Sequence, residues 1–245
     1  MLKQILTKLR NLFRKKLILV GSRNNLLDII VAAEHSGYCI IGILDSHYWG
    51  NTDSICGIPV IGSENELLDP KCQWRRYEFF PANWWDGRQA LKSGYDADQL
   101  RQDRLDLLDR SGVRVANLVS RDVHWFHNKR NFVIGKGVLI LGNASIGADV
   151  TLGDYSVIDW DARLQYTKVG RNAIVGAASI LAHVDVGDNA RIGLRSTVIP
   201  SRKKDLLSVG KGAIIYIGSL VLDDVPEASV YTMYGQTRKR FKKPV

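Results

Sequence analysis

The chain has 245 residues, of which 45% are hydrophobic and 24% are charged, the composition of an ordinary folded protein with room for two modest domains. No apolar run approaches the roughly 20 residues of a membrane span, and three unclustered cysteines argue against a disulfide framework or a zinc site and suit a reducing cytoplasm. Eleven of the 34 Lys and Arg residues lie in segments 1–16 and 238–243, so the net charge of +9 belongs to the two tails and a nucleic-acid-binding face is not expected.

Segment 1–16, MLKQILTKLRNLFRKK, predicts a basic amphipathic helix, because its apolar residues recur at helical spacing and its basic residues fall on the other side. Charges interrupt every apolar run, which excludes a secretory signal. Two interpretations stay open. The helix lies on an anionic membrane, as in a peripheral protein at the inner membrane face, or it packs against the protein or a partner subunit.

Residues 17–120 predict a small α/β domain of the Rossmann type. A buried strand, LILVG, is followed by a turn, the helical run LLDIIVAAEHSG and a second strand, CIIGILDS. Gly21 occupies the first turn, and Asp45 follows the second strand. The stretch CGIPVIGSENELL adds a strand and a helix start, with Ser63 and Glu66 at the spacing of a capping box.

The rest of this domain is less regular. The stretch YEFF predicts a strand, and an insertion with Trp84 and Trp85 follows it, whose rings suit either sugar stacking or core packing. The run DADQLRQDRLDLLDRSG predicts an amphipathic helix that Gly112 ends. VRVANLVS predicts a last strand, which places the domain boundary near Ser120.

From residue 134 to residue 221 an aliphatic residue returns at every sixth position. The step slips by one residue before Val169 and again before Val186, and residues 201–208, SRKKDLLS, interrupt it. The repeat positions are Ile134, Ile140, Ile146, Leu152, Ile158, Leu164, Val169, Val175, Leu181, Val186, Ile192, Val198, Val209, Ile215 and Val221. A period of six fits neither an α-helix nor a flat strand, but it is the repeat of a parallel β-helix.

In a parallel β-helix of this kind the backbone forms a triangular prism. Short strands form the flat sides, the repeat residues fill the axis, and the corners need small or turn-tolerant residues. The expected corner pairs are Lys136-Gly137, Ala148-Asp149, Asp154-Tyr155, Arg171-Asn172, Asp188-Asn189 and Lys211-Gly212. Three sides of six residues give about five coils over the repeat from residue 134 to residue 221. The β-helix is expected to occupy residues 121–226, which leaves 227–245 as a basic tail.

This pattern resembles the hexapeptide-repeat acyltransferases, of the type that acetylate sialic acids or UDP-amino-sugars. The stretches that carry the resemblance are VDVGDNARIGLRSTVIPS, the ending LVLDDVPEAS, and GIPVIG after the strand that ends in Asp45. The resemblance implies a left-handed β-helix, an exception to the usual right-handed crossover. It also implies a homotrimer with acetyl-CoA between neighbouring prisms, no metal, and a sugar or nucleotide-sugar acceptor in surface-polysaccharide biosynthesis.

Acyl transfer to an amine or hydroxyl needs a base and donors for the oxyanion, and in the resembling enzymes the base is a histidine followed by an acidic residue. Counting back from LVLDDVP, that position falls on Gln165 or Tyr166, and aligning SVIDWDA instead puts Trp160 and Asp161 there. None of these is a histidine. The candidate base is therefore His183, two thirds of a coil to one coil later, unless it is only an exposed corner residue. Gln165 and Asp161 are candidates for holding the reacting group.

Two basic segments are candidates for binding the phosphates of CoA. Arg202 and Lys203 lie in the interruption of the repeat, where their charges suit phosphate. Family members end in a segment near the adenosine phosphate, and here that segment retains Gly235, Arg238 and Lys239.

The turn after the first strand is the candidate substrate site. In the resembling enzymes this turn is rich in glycine, contains a histidine and cradles the nucleotide-sugar. Here Gly21, Ser22 and Arg23 occupy it and Asp45 follows the next strand, so an amide cradle with an arginine for phosphate stays open.

Two further points concern other functions. His124 and His127 are three residues apart but have no third ligand nearby, so we expect them to cap the prism rather than bind metal. The alternative to an acetyltransferase is a non-catalytic trimeric scaffold or regulator that kept the prism and lost the catalytic histidine.

Overall fold

The computed structural model describes residues 14–22, 26–83, 97–126, 132–233 and 237–239. It divides into two compact units, Met1–Leu118 and Val119–Val245. Residues 1–13 of the predicted first helix lie outside the described residues. Lys15 and Lys16, which the prediction placed in that helix, belong to the first strand.

The first unit contains strands and helices in alternation. They are β1 (Lys15–Val20), α1 (Leu26–His35), β2 (Tyr38–Leu44), β3 (Ser54–Ile55), β4 (Ile58–Gly62), 3-10 helices Glu64–Leu68 and Gln73–Arg76, β5 (Glu78–Pro81), α2 (Ala97–Ser111) and β6 (Arg114–Val115). The strands form one sheet in the order β3-β4-β2-β1-β5-β6. Its described pairs are parallel except β3 with β4.

The burial of the central strand and the ends of two helices follow from the local sequence. From Leu17 to Val20 the side chains of β1 are all fully buried, as expected for a parallel strand covered on both faces. α2 ends where Gly112 adopts a φ of +65°, as predicted. The capping box is confirmed too, because Ser63 N donates to Glu66 Oε1 at 2.8 Å and Asn65 N donates to Ser63 Oγ at 3.3 Å, but it begins a 3-10 helix.

The second unit is built almost wholly from short strands. They are β7 (Leu118–Val119), β8 (His124–Trp125), β9 (Val133–Ile134), β10 (Leu139–Ile140), β11 (Ser145–Ile146), β12 (Thr151–Leu152), β13 (Val157–Ile158), β14 (Arg163–Val169), β15 (Ile174–Val175), β16 (Ile180–Val186), β17 (Arg191–Ile192), β18 (Thr197–Val198), β19 (Leu207–Val209), β20 (Ile214–Ile215), β21 (Leu220–Val221), β22 (Ser229–Tyr231) and β23 (Thr237–Lys239). The single strand predicted for VRVANLVS is two strands, β6 and β7, with β7 at the boundary of the units.

Parallel pairing between successive coils shows the prism. Leu139 pairs with Val157, 18 residues later, as three sides of six predict. Val157 pairs with Ile174, 17 residues later, because that coil contains one of the two slips. One side has the order β22-β20-β17-β15-β13-β10-β7, with β23 antiparallel to β22, and a second has β21-β18-β16-β14-β11-β8. β9, β12 and β19 lie on a third side. There β12 pairs with β9 and with the end of β14, and β19 pairs with the end of β16.

The repeat residues fill the axis of the prism. Each of them from Ile140 to Val221 is buried in one continuous core, and Ile134 packs partly buried against it. The second residue of every predicted corner pair has a positive φ, between 51° and 67°. These two predictions, of the core and of the corners, are therefore confirmed.

The glycine that often follows a repeat residue has a steric cause. A Cβ placed on Gly187 would lie 2.6 Å from Lys211 N, and one on Gly170 would lie 2.6 Å from Asp188 N. The backbone of the next coil passes so close that no side chain fits.

Candidate active site

The two slips in the repeat produce one unusual corner. β14 and β16 are seven residues long, and each runs through a corner that the other coils make with a turn between two-residue strands. Leu164 and Val169 are five residues apart on β14, and Leu181 and Val186 are five apart on β16. Parallel pairing of the two strands places their shortened sides in consecutive coils.

Tyr166 and His183 occupy the equivalent place in these two shortened sides. Their ring centroids are 4.7 Å apart and the ring planes differ by 20°, so that the rings stack. Both residues have positive φ, 48° and 56°, and both side chains are exposed. His183 thus lies one coil after the position where a histidine was expected, and it is an exposed corner residue with an aromatic neighbour.

Gln165 lies beside this pair. It is exposed and pairs across the strands with Ala182, the residue before His183. Thr167 Oγ1 donates to Gln165 O at 2.9 Å and is 3.4 Å from Leu181 O, and Thr167 is fully buried. These hydrogen bonds fix the backbone that carries Gln165 and Tyr166.

Asp161 lies away from these residues. It has a φ of 58° at the turn before β14, whereas Gln165 and Tyr166 follow the first flat stretch of that strand. One side of the prism therefore separates Asp161 from the corner of His183. The structure brings together His183 and Gln165 of the three predicted catalytic candidates.

The predicted loop leaves the prism in the coil after His183. Leu181 pairs with Val198 and Val184 pairs with Leu207, so residues 199–206 replace the corner that would follow His183. Since neighbouring parallel strands are about 4.8 Å apart, this loop begins and ends next to the histidine. Its Arg202 and Lys203 are exposed.

One ion pair ties this loop to the prism. Lys204 Nζ contacts Asp224 Oδ2, and Ser208 N donates to Asp224 Oδ1 at 2.7 Å. The hydrogen bond from Lys204, with that from Ser208, lowers the pKa of the Asp224 carboxyl below its ordinary value. Arg202 and Lys203 are thus carried on a loop with a charged anchor.

The other predicted CoA-binding residues lie at the end of the chain. Gly235 is outside the described residues. Arg238 and Lys239 belong to β23, whose backbone pairs with Val230 and Ser229 of β22. These strands lie in a different sheet of the prism from β14 and β16.

The predicted substrate residues in the first unit form a hydrogen-bonded group. Ser22 N donates to Asp45 Oδ2 at 2.9 Å, and His47 N donates to Asp45 Oδ1 at 3.0 Å. The structure thus brings Ser22 and Asp45 together beside Gly21, and Arg23 is outside the described residues. A phosphate at this turn would compete with the Asp45 carboxylate for the Ser22 amide.

Sequence reasoning missed the buried arginines of α2. Arg104 Nη2 lies 3.1 Å from Asp45 Oδ1, and Arg104 Nε donates to Glu64 Oε1 at 3.0 Å. A Cβ on Gly21 would lie 2.4 Å from Arg104 Nη1, so the guanidinium rests against the first turn. Arg101, also buried, donates from Nη1 to Asn83 O at 2.7 Å. In the sequence these arginines are mixed with Asp and Gln residues along the helix, so the sequence did not indicate that they are buried.

The chain is similar to known proteins in sequence over part of its length and in fold over most of it. No model of a known protein family matches the chain. The bifunctional protein GlmU of Anaplasma marginale is 26% identical over 123 residues, which cover 42% of this chain and 28% of the relative. GlmU of Streptococcus equi subsp. zooepidemicus is 36% identical over 102 residues, 40% of this chain and 22% of the relative. The chain spans less than a third of the length of these relatives.

Solved structures match over most of the chain. A variant of perosamine N-acetyltransferase from Caulobacter crescentus, in complex with CoA and GDP-perosamine, has a TM-score of 0.74 at 21% identity and covers 91% of this chain and 96% of its own. The acetyltransferase domain of PglB from Neisseria gonorrhoeae has a TM-score of 0.69 at 18% identity, covering 89% and 96%. This chain has the fold of these acetyltransferases.

Among the described residues, no group of three or more His, Cys, Asp or Glu side chains is placed to hold a metal ion. His124 is exposed on β8, and His127 is outside the described part. None of the described helices is long and apolar enough to cross a membrane. What the corner offers chemically is one imidazole, an amide side chain and a cationic loop, the groups that proton transfer and anion binding require.

Proposed function

We propose that the protein transfers an acetyl group from acetyl-CoA to a hydroxyl or amine of a sugar or nucleotide-sugar in surface-polysaccharide biosynthesis. The fold that it shares with sugar acetyltransferases supports the reaction class. The observation that carries the proposal is the exposed His183, held in the coil next to the loop of Arg202 and Lys203. A side chain able to accept a proton and two exposed cations therefore lie in neighbouring coils at one corner.

His183 is the general base of this proposal. Its imidazole takes the proton from the sugar amine or hydroxyl as that group bonds to the thioester carbonyl carbon, and it returns the proton to the sulfur when the carbon–sulfur bond breaks. Gln165 donates a hydrogen bond to the acceptor or to the oxyanion, because its amide does not titrate. Asp161 lies one side away and is not used at this corner.

The phosphates of CoA are assigned to the loop. Arg202 and Lys203 present two exposed cations there, and charge-assisted contacts to phosphate suit both side chains. Gly235, Arg238 and Lys239 stay part of the proposal as contacts of the adenosine end, on the strength of the resemblance alone.

We also propose that the prism is left-handed and assembles as a homotrimer. An apolar ridge supports the assembly, because large aliphatic side chains are exposed in successive coils at one corner: Ile180, Leu194, Ile217 and Leu220. Ile180 and Leu220 share one register through Thr197, and Gly218 N donates to Leu194 O at 2.8 Å. Exposed apolar patches commonly mark interfaces. Light scattering of wild type and Ile217→Lys tests this, with Leu206→Lys on the loop as control.

The first unit, residues 17–120, is proposed as a Rossmann-like domain that binds the nucleotide-sugar. The strand order reverses between β1 and β5, and ligands of open parallel sheets bind outside the carboxyl ends of the strands at such a point. Asn83 follows β5 there, and its buried Oδ1 has no hydrogen-bond partner among the described residues. Gly21, Ser22, Arg23 and Asp45 would line the same edge. Calorimetry with a nucleoside diphosphate sugar on wild type and Asn83→Leu tests it.

Residues 1–16 are proposed to hold this cytoplasmic protein at the inner membrane face. Their basic and apolar residues support the proposal. Co-sedimentation with anionic liposomes of the full chain and of a chain lacking residues 1–13, a deletion that keeps all of β1, tests it. Equal binding of both forms would contradict it.

A non-catalytic trimeric scaffold is the second candidate. It is favoured by one observation, that Gln165 and Tyr166 stand where the resembling enzymes have their histidine. Calorimetry with acetyl-CoA and release of free CoA thiol on a panel of amino-sugar nucleotides separate the two. The enzyme is supported by binding and by turnover that His183→Ala abolishes and that His124→Ala, at another exposed histidine of the same unit, leaves intact. Absence of both binding and turnover supports the scaffold.

A further inference from the structure

We propose that Tyr166 is a positioning residue, which fixes the imidazole of His183 for proton transfer. This inference rests on the proposed function, since it assigns a role within the same site. The stacked rings on consecutive coils carry it, with centroids 4.7 Å apart.

The backbone conformation of the two residues argues that the rings matter. Left-handed backbone is costly for bulky side chains. Elsewhere at the corners of the prism, most residues with positive φ are small or tolerate it: Gly137, Asn143, Asp149, Asp161, Asn172, Ala178, Asn189, Gly212 and Gly218. The large exceptions are Arg195 and Tyr155, and the Tyr155 side chain is fully buried. Tyr166 and His183 accept the strained conformation with large rings, in neighbouring coils and in contact. Backbone strain of this kind is concentrated at functional sites, where the side chain has a role that offsets its cost.

The support beneath Tyr166 is rigid. Tyr166 N donates to Ala148 O of the preceding coil at 2.8 Å, and the buried Thr167 ties the next position to Gln165 and Leu181. The phenol ring is therefore attached to a fixed backbone. His183, an exposed side chain with two rotatable bonds, loses conformational freedom when one face of its ring packs against the Tyr166 ring.

The column of corner residues also ends at His183. The next coil leaves the pairing with β16 after Val198 and returns at Leu207, so the cationic loop takes the place of a third corner residue. His183 thus has the tyrosine ring on the side of the preceding coil and the loop of Arg202 and Lys203 on the other. A ring held in this plane presents its nitrogens at the edge of the stack, where a hydrogen-bond partner can reach them.

The test compares Tyr166→Phe with Tyr166→Asn. Phenylalanine keeps the stacked ring, whereas asparagine removes it and suits left-handed backbone, as Asn172 and Asn189 show at other corners. We expect the asparagine variant to lose about tenfold or more in kcat with an unchanged KM for acetyl-CoA, because misorientation of a base affects the chemical step. The phenylalanine variant should stay within about threefold of wild type.

A second readout follows the ring directly. The proton resonances of His183 should lose their ring-current shift in Tyr166→Asn and keep it in Tyr166→Phe, and equal unfolding midpoints show that both variants fold. The inference is overturned if the asparagine variant keeps wild-type kcat, or if both variants lose activity equally. Failure of the proposed function has another signature, in which the wild type neither binds acetyl-CoA nor releases CoA, and the inference then falls with it.

Discussion

Arg104 and Asp45 form a buried ion pair, with Nη2 and Oδ1 3.1 Å apart, at the carboxyl edge of the sheet in the first unit. The same guanidinium donates to Glu64, which belongs to the 3-10 helix after β4. One cation therefore ties α2 to the ends of two strands. Two carboxylates around one guanidinium leave this group with a net negative charge.

Replacing Arg104 by methionine should strongly destabilise the first unit. The substitution leaves the Asp45 and Glu64 carboxylates buried without their counter-ion, a change that typically costs about 3–5 kcal/mol. Urea unfolding of wild type and variant measures the loss. Arg110→Met is the matched control on the exposed side of the same helix, and it should change stability by less than about 0.5 kcal/mol. Equal losses for both variants would contradict the role given to Arg104.

The repeat made the second unit predictable, whereas this ion-pair group was not. An inward aliphatic residue every sixth position fixes which side chains fill the axis, because each coil repeats the geometry of the last. Arg104 pairs with residues 40 and 59 positions earlier in the chain. Arg104 lies in a helix rich in Asp and Arg, a composition that is typical of a solvent-exposed helix face. Only the tertiary fold shows that this face is covered.

The candidate site could be predicted from the sequence only in part. The slips before Val169 and Val186 were visible in the sequence, and the structure shows that they shorten two consecutive sides and stack Tyr166 on His183. A break in a regular repeat thus marked the corner with unusual chemistry. Spacing alone did not show that Asp161 lies one side away, because its position along the chain does not give the corner it occupies.

Leu181 and Ile180 form a test of the prism core within one strand. Leu181 is 1% exposed and points into the axis, whereas Ile180, the residue before it, is 43% exposed. Leu181→Ala should cost about 2–5 kcal/mol because it opens a cavity in packed core. Ile180→Ala should cost less than Leu181→Ala even where the proposed trimer covers Ile180, because it opens no cavity in the axis of the prism. Urea unfolding at one protein concentration compares them, and a reversed order would contradict the assignment of inward and outward faces.

Gly187 and Gly212 separate two reasons for glycine in the repeat. Gly187→Ala should destabilise the prism by about 1–3 kcal/mol, since its Cβ would meet Lys211 N at 2.6 Å. Gly212 has a φ of +64° with no atom within 4 Å of an added Cβ. Gly212→Asn should therefore change stability by only a few tenths of a kcal/mol, because asparagine tolerates that conformation. Thermal unfolding of both variants decides, and equal destabilisation would show that close approach of the coils is not the cause.

The loop anchor predicts a dependence on pH. The lowered pKa of Asp224 means that the folded state favours the carboxylate, so the stabilisation from Lys204 is present above the unfolded pKa and is lost as the pH falls through the folded one. In Lys204→Met the Asp224 pKa, measured by carbon NMR of the carboxyl, should rise towards its ordinary value. In Lys203→Met, which removes the exposed neighbouring charge, it should stay close to that of wild type. The difference in unfolding free energy between wild type and Lys204→Met should also shrink as the pH falls from the unfolded pKa of Asp224 through its lower folded pKa. A difference that stayed constant down to acid pH would show that the loop is held by contacts other than this ion pair.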